Sequence, residues 1–141
     1  MKILVATDGS KNALRAVKYA AKLVDALKSE STITLISVHD DVALRHAERF
    51  VGKKAVADYL RDLSEQDLAE SRKALDKAGA RHDMVIRTGN VGAEIAAAAA
   101  EGKFDLILMG SKGRSALKDL LMGSVAQRVM EFAKTPVLMV K

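Results

Sequence analysis

The sequence predicts a doubly wound α/β fold built on a five-stranded parallel sheet with helices on both faces, in the Rossmann-like manner. Three observations carry that prediction. Five short apolar runs punctuate the chain. Segments of helical periodicity separate them, so strand and helix alternate and right-handed βαβ crossovers follow. Three of the runs are almost unbroken in Ile, Leu, Val and Met, which suits strands covered on both faces.

The first strand is "KILVAT" (2–7). A helix follows in which Ala13, Val17, Ala20, Val24 and Leu27 recur at three- and four-residue spacing, with Lys11, Arg15, Lys18 and Lys22 opposite and Ser10 placed to cap it. "TITLISV" (32–38) is the second strand. The segment 39–54 reads either as a short helix or as a loop. From residue 55 a charged amphipathic helix runs to a glycine stop at Gly79. "DMVIRT" (83–88) is the third strand and "GAEIAAAAAEG" (92–102) the next helix, whose alanine run permits a close approach to the sheet. "DLILMG" (105–110) and "PVLMV" (136–140) are the last strands, with a helix over 124–134 between them. Pro136, the only proline, opens the final strand, where a missing N–H does least harm.

Composition narrows the function classes. The 141 residues are 49% apolar and 29% charged, which describes a soluble globular domain over 1–141. There is no cysteine, which removes disulfides, thiolate metal sites and cysteine nucleophiles. No apolar stretch reaches the roughly 18 residues of a membrane helix, and the start does not read as a signal peptide, so the expectation is a cytoplasmic protein with no membrane partner. The net charge of +5 invites an anionic ligand. Residues 101–141 hold seven Lys or Arg against four Asp or Glu, the largest local surplus. With no Trp, three Phe and two Tyr, base stacking on aromatics is a poor fit, so nucleic acid is not the expected partner.

Ligands of open parallel sheets bind beyond the carboxyl ends of the strands. After the first strand, Asp8 beside Gly9 suits either a carboxylate facing a ligand hydroxyl or metal, or a turn residue ahead of a helix. After the second, the backbone at Val38 is available to a base. His39, His46 and His82 lack partners at metal-ligand spacing and read as ordinary loop histidines. Asp40 and Asp41 read as solvated turn residues. After the third strand, Gly89 and Gly92 flank a turn with Glu94 in the next helix, which suits an anion site but equally an ordinary strand-to-helix turn. After the fourth, Gly110 and Gly113 bracket Lys112 and favour a tight anion-binding concavity, with Arg114 next. Gly123 and Ser124 open the last helix nine residues on. Ser124 with Gln127 matches a capping box, and the same helix N-terminus suits phosphate.

These residues resemble the ATP-binding branch of the universal stress protein family. That branch carries Gly, two residues, Gly, nine residues, then Gly-Ser or Gly-Thr, and Gly110, Gly113 and Gly123-Ser124 reproduce the spacing. The resemblance spans the chain: "ILVATDGS", "LISVH", "GNVGAEI", "DLILMGSKGRS" and "TPVLMVK" all take part. It implies the sheet order 3-2-1-4-5. It implies adenine near Ala6 and Val38, with Asp8 at the adenosine side or near a metal. Met109, Gly110, Lys112 and Gly113 would run along ribose and phosphates, and Gly123, Ser124 and Val125 would hold the phosphate tail. Family members often carry Pro where Ala6 stands. Lys112 occupies a variable position, and its charge favours more phosphates.

The implied ligand is ATP, with ADP and AMP as alternatives and Mg²⁺ as the accompanying ion. The implied partners are a second copy, through the C-terminal strand at 136–140, and a regulatory protein. The implied role is a nucleotide-binding stress or regulatory protein. No general base stands beside the phosphate loop, so no dedicated enzyme is expected and any ATP hydrolysis would be slow. The alternatives are a metal-dependent hydrolase using Asp8 and a ligand-free dimeric interaction module. A Walker loop, the His-x-Gly-His and Ser-Gly-Gly-x-Asp-Ser loops of related folds, and the paired acids of response regulators are all absent from the sequence.

Overall fold

The computed structural model describes residues 1–113 and 121–141. The crossing loop expected over 114–122, with Arg114, falls for 114–120 outside the described residues. In chain order the elements are β1 (Lys2–Ala6), α1 (Lys11–Leu27), β2 (Thr32–Asp40), α2 (Asp41–Val51), α3 (Lys53–Lys77), β3 (His82–Gly89), α4 (Val91–Glu101), β4 (Leu106–Gly110), α5 (Ser124–Phe132) and β5 (Val137–Val140). The strands form one sheet in the order β3-β2-β1-β4-β5, and every neighbouring pair is parallel.

Strand alternation divides the core between two faces. Ile3, Val5, Ile33, Leu35 and Leu108 point to one side and pack with Ala16, Val17 and Ala20 of α1 and Leu68 and Leu75 of α3. Leu4, Ala6, Ile36, Ile107 and Met109 point to the other and pack with Ile95 and Ala99 of α4 and Ala126 and Val129 of α5. The central strands read as unbroken apolar runs because both of their faces are covered. β5 carries the same kind of run, yet its four residues are only part-buried. It has a strand neighbour on one side alone and stands at the edge of the sheet.

Local chemistry sets the ends of the elements. Ser10 accepts from the Ala13 N–H at 3.1 Å and caps α1, as its position predicted. Segment 39–54 resolves into the last two residues of β2, then α2 and the start of α3, with Gly52 between the helices at φ 85. Asp40, expected to be a solvated turn residue, instead caps α2 through the Val42 N–H at 2.8 Å, and Asp41 pairs with Arg45 inside the first turn. α3 ends in the predicted glycine stop. Gly79 adopts φ 66, its N–H reaches the Asp76 carbonyl and the Ala80 N–H reaches that of Leu75, which satisfies carbonyls the helix would leave bare. Ala99 of the α4 alanine run is buried with Leu4, Ile36 and Ile107 of the sheet, and Gly92 lies close against α5. A Cβ on Gly92 would stand 2.5 Å from the Cβ of Arg128 on α5. Asn90 caps α4 through the Ala93 N–H, so the Gly89–Gly92 turn is built for packing and capping.

Candidate functional site

The chain runs outward from β1 through β2 to β3, then crosses back to β4 and β5. The reversal leaves a crevice beyond the carboxyl ends of β1 and β4, where no crossover covers the sheet. A cavity of about 260 Å³ occupies it. Its floor is apolar, from Ala6, Ile36, Val38, Val91, Ile95 and Met109. Its rim is polar: Asp8 and Thr7 stand on one side, and Gly110, Lys112, Gly113, Gly123, Ser124 and Val125 on the other. All ten residues that the sequence analysis placed at a nucleotide site line this one cavity. Ala13, Ala126, Thr7, Ile36, Val91 and Ile95 also line it and were not anticipated. Ile36 was detectable, because it shares a strand face with Val38 two residues on. Val91 and Ile95 lie one helical turn apart on a helix whose facing side only packing reveals.

The backbone at Val38 is directed at the crevice by register. The Thr7 N–H donates to the Ile36 carbonyl at 3.0 Å. Peptide groups of alternate strand residues point the same way, so those of Val38 point past the end of β1.

The glycine rim is explained by space. None of Gly110, Gly113 and Gly123 is among the glycines with positive φ. A Cβ on Gly110 would lie 3.0 Å from the backbone of Asn12 in α1, and one on Gly113 would lie 3.0 Å from Asp8 Oδ2. The Gly123 N–H donates to the Ser111 carbonyl at 2.7 Å, which fastens the start of α5 onto the loop after β4. The two halves of the motif are thereby one surface.

Ser124 is not the helix cap that the capping-box pattern predicted. Gly123 takes the cap position, with φ −75 and ψ 163, and makes no side-chain cap hydrogen bond. Ser124 is the first helical residue, and the Gln127 N–H bonds to the Gly123 carbonyl. The capping serine is absent where α1, α2 and α4 each have a side-chain cap. Among the described residues, therefore, no cap side chain answers the first-turn N–H groups and the positive end of the dipole at the N-terminus of α5, which lines the cavity.

Asp8 has the turn role considered for it, and its second carboxylate oxygen stands at the crevice. Oδ1 accepts from the Ser10 N–H at 2.9 Å, a turn-stabilising contact, while Oδ2 faces Gly113 across the crevice mouth. Among the described residues no group of three or more His, Cys, Asp or Glu side chains is arranged to hold a metal ion.

Behind the crevice lies a polar seam the sequence analysis missed. Ser64, Asp67 and Ser71 of α3 are buried against the ends of β1 and β2, together with Thr7 and Ser37. The Thr7 hydroxyl accepts from the Gly9 N–H and shares a 3.3 Å hydrogen bond with Ser71. His39, read from sequence as an ordinary loop residue, closes β2 instead. Its Nε2 lies 2.5 Å from Ser64 Oγ and 3.4 Å from Ser37 Oγ. Burial lowers its pKa, and the nearby Asp67 carboxylate opposes that shift without cancelling it. Spacing carried a signal here, since Ser64, Asp67 and Ser71 recur at three and four residues on one helix face.

A doubly wound parallel sheet with an apolar crevice floor, a glycine rim and a bare helix N-terminus is the architecture of proteins that bind phosphate-bearing ligands at a topological switch point. Within that class the chain belongs to the universal stress protein family, whose model matches residues 1–141. Universal stress protein MJ0531 of Methanocaldococcus jannaschii is 31% identical, the match covering 99% of this chain and 81% of that one. Universal stress protein MJ0577 of the same organism is 32% identical, with 99% and 94% covered. The solved structure of MJ0577 superposes with a TM-score of 0.83 at 30% identity, again over 99% and 94%. A universal stress protein crystallised in complex with cAMP superposes with a TM-score of 0.65 at 26% identity, over 100% and 97%. The expected strand order and family both hold.

Proposed function

We propose that this chain is an adenine-nucleotide-binding regulatory protein of the stress-response type, taking ATP in preference to ADP or AMP. The observation that carries the reading is the bare N-terminus of α5, fastened by Gly123 onto the loop that holds Lys112. Phosphate oxygens there would meet first-turn N–H groups, a helix dipole and a lysine charge together. The apolar floor from Ala6 to Val38 suits a flat base, with the Val38 backbone supplying hydrogen bonds at its edge. The cAMP complex of a relative supports the ligand class. Magnesium accompanying the nucleotide would be held by phosphate oxygens and the Asp8 carboxylate. Magnesium retains several waters and needs only one or two carboxylates, so a single Asp fits. Binding is the activity proposed. The chain acts as a homodimer through β5 and signals to a regulatory protein.

Titration calorimetry with ATP, ADP and AMP, with and without magnesium, tests the proposal. ATP should bind most tightly, and binding should be lost in the Gly113→Val, Gly123→Val double variant while its melting temperature stays near that of the parent. No heat with the parent protein, or undiminished affinity in the double variant, would sink it. Native mass spectrometry of the freshly purified protein, seeking a retained nucleotide, distinguishes a ligand-free module.

A further inference from the structure

We infer that the β3 edge of the sheet is a self-complementary docking strand for a second copy of this chain, paired antiparallel about a twofold axis through Val85. Among the described residues β3 pairs with β2 alone. It is eight residues long and shows Met84, Val85 and Ile86 at 42%, 38% and 45% exposure. Long, apolar, unpaired edges attract another strand. The edge is not blunted by proline, by a bulge in its register with β2, or by a lysine.

The direction of the backbone groups fits such pairing. The Ile33 N–H donates to the Arg81 carbonyl at 3.2 Å, so Arg81, Asp83, Val85 and Arg87 turn their peptide groups toward β2. His82, Met84, Ile86 and Thr88 turn theirs outward. With the axis on Val85, Met84 faces Ile86 of the second copy and His82 faces its Thr88. Every outward group then meets an outward group.

Charge selects this register over its neighbours. With the axis on Val85, Asp83 stands opposite Arg87 of the second copy. Arg81 stands opposite Gly89, over which the Glu94 side chain lies, within 2.9 Å of where a Cβ would be. Neither Arg81 nor Asp83 has an ion-pair partner among the described residues of its own chain. Arg87 is held in place on this face by Glu94 and Glu101. Moving the axis to Met84 sets Arg81 against Arg87. Moving it to Ile86 sets Asp83 against Gly89 with its Glu94. Both alternatives bring like charges together, which is unfavourable across strands. The edge lies opposite β5 in the sheet, so this contact adds to pairing through β5 and does not compete with it. A chain that pairs through both edges extends its sheet as an open-ended ribbon.

The chain has no cysteine, so single cysteines read the register directly. A residue on the axis faces itself at about 4.5 Å between Cα atoms, within disulfide reach. A residue one position away is separated from its copy by roughly 8 Å, which is beyond it. Under mild oxidation, Val85→Cys should form a disulfide-linked dimer, and Met84→Cys and Ile86→Cys should not. Adding Asp83→Arg to Val85→Cys should cut the linked fraction at least about fivefold, because a guanidinium would then face the like charge of Arg87. Circular dichroism of each variant checks that the fold is intact. Equal cross-linking at all three positions, cross-linking at Met84 or Ile86 instead, no cross-link at Val85 in a folded variant, or no effect of Asp83→Arg each overturns the inference.

Discussion

The amide of Gly123 and the carbonyl of Ser111 meet at 2.7 Å, and through that bond the N-terminus of α5 and the loop after β4 form a single wall of the crevice. A Cβ at Gly123 would stand in ordinary contact with Gly113 N and Lys112 Cα at 3.4 Å, and the methyl groups of a valine beyond it would occupy the wall where phosphate is proposed to lie. Gly123→Val is therefore expected to weaken ATP binding at least tenfold, or about 1.4 kcal/mol. Calorimetry measures the loss. An affinity within twofold of the parent contradicts the placement of phosphate on this wall.

Gly110 tests packing in place of ligand contact. An added methyl would lie 3.0 Å from the Asn12 backbone, which cannot yield as a flexible side chain would. Gly110→Ala should destabilise the fold by about 1–3 kcal/mol through overpacking. Urea denaturation with unchanged slope and a lower midpoint is the expected result, and an unshifted midpoint would show that α1 moves aside without cost.

Lys112 should separate the nucleotides by charge. Lys112→Ala is expected to weaken ATP binding roughly three- to tenfold and AMP binding less, since charge-assisted contacts scale with the phosphates present. The difference should shrink at high salt, as rim charges are screened. Parallel titrations at low and high ionic strength measure it, and an equal loss for both nucleotides rules out a phosphate role for this side chain.

His39 gives stability a pH dependence whose sign follows from its surroundings. Burial disfavours its charged form, so the folded chain takes up this proton at lower pH than the unfolded chain. Above about pH 6.5 both states are neutral here and stability is level in this respect. As pH falls below that, the unfolded state gains the proton first and stability declines until the folded-state pKa is passed. Urea midpoints between pH 7 and 5 should fall in the parent and fall less in His39→Gln. Identical slopes would remove His39 as the cause.

At the other edge, hydrogen-bond direction predicts which residue pairs outward. The Ser111 N–H donates to the Val140 carbonyl and the Ile107 N–H to that of Pro136, so Met139 turns its N–H away from β4. Met139→Pro removes that outward donor and leaves the β4–β5 hydrogen bonds in place, while Met139→Ala is the control for the side chain's packing on the core and should remain dimeric. If the homodimer forms through β5, sedimentation should show the proline variant as a monomer where the parent is a dimer. A proline variant that remains dimeric places the interface elsewhere.

Much of the fold was legible because its signals are local. Apolar runs marked β1 and β4, Ser10 and Gly79 marked helix ends, and glycine spacing marked the rim. The missing information was relational. Ser124 looked like a cap by spacing alone, yet the bond from Gly123 to Ser111 fixes the helix start one residue earlier. His39 looked like a loop residue, because Ser64, the nearer of its two serine partners, arrives from a helix 25 residues away.

By itself, then, the chain's order of residues determined the alternation of strand and helix, the family and the glycine motif, since each depends on neighbours within a few positions. Only the tertiary structure decided that Ile36, Val91 and Ile95 floor the cavity of the ten expected residues, that a polar seam backs it, and that β3 stands at the sheet edge. Those features arise from the pairing of β1 with β4 and from which helix covers which strand. Packing sets such relationships between residues distant in sequence, and a local pattern such as the Ser64–Asp67–Ser71 spacing marks a face without saying what it meets.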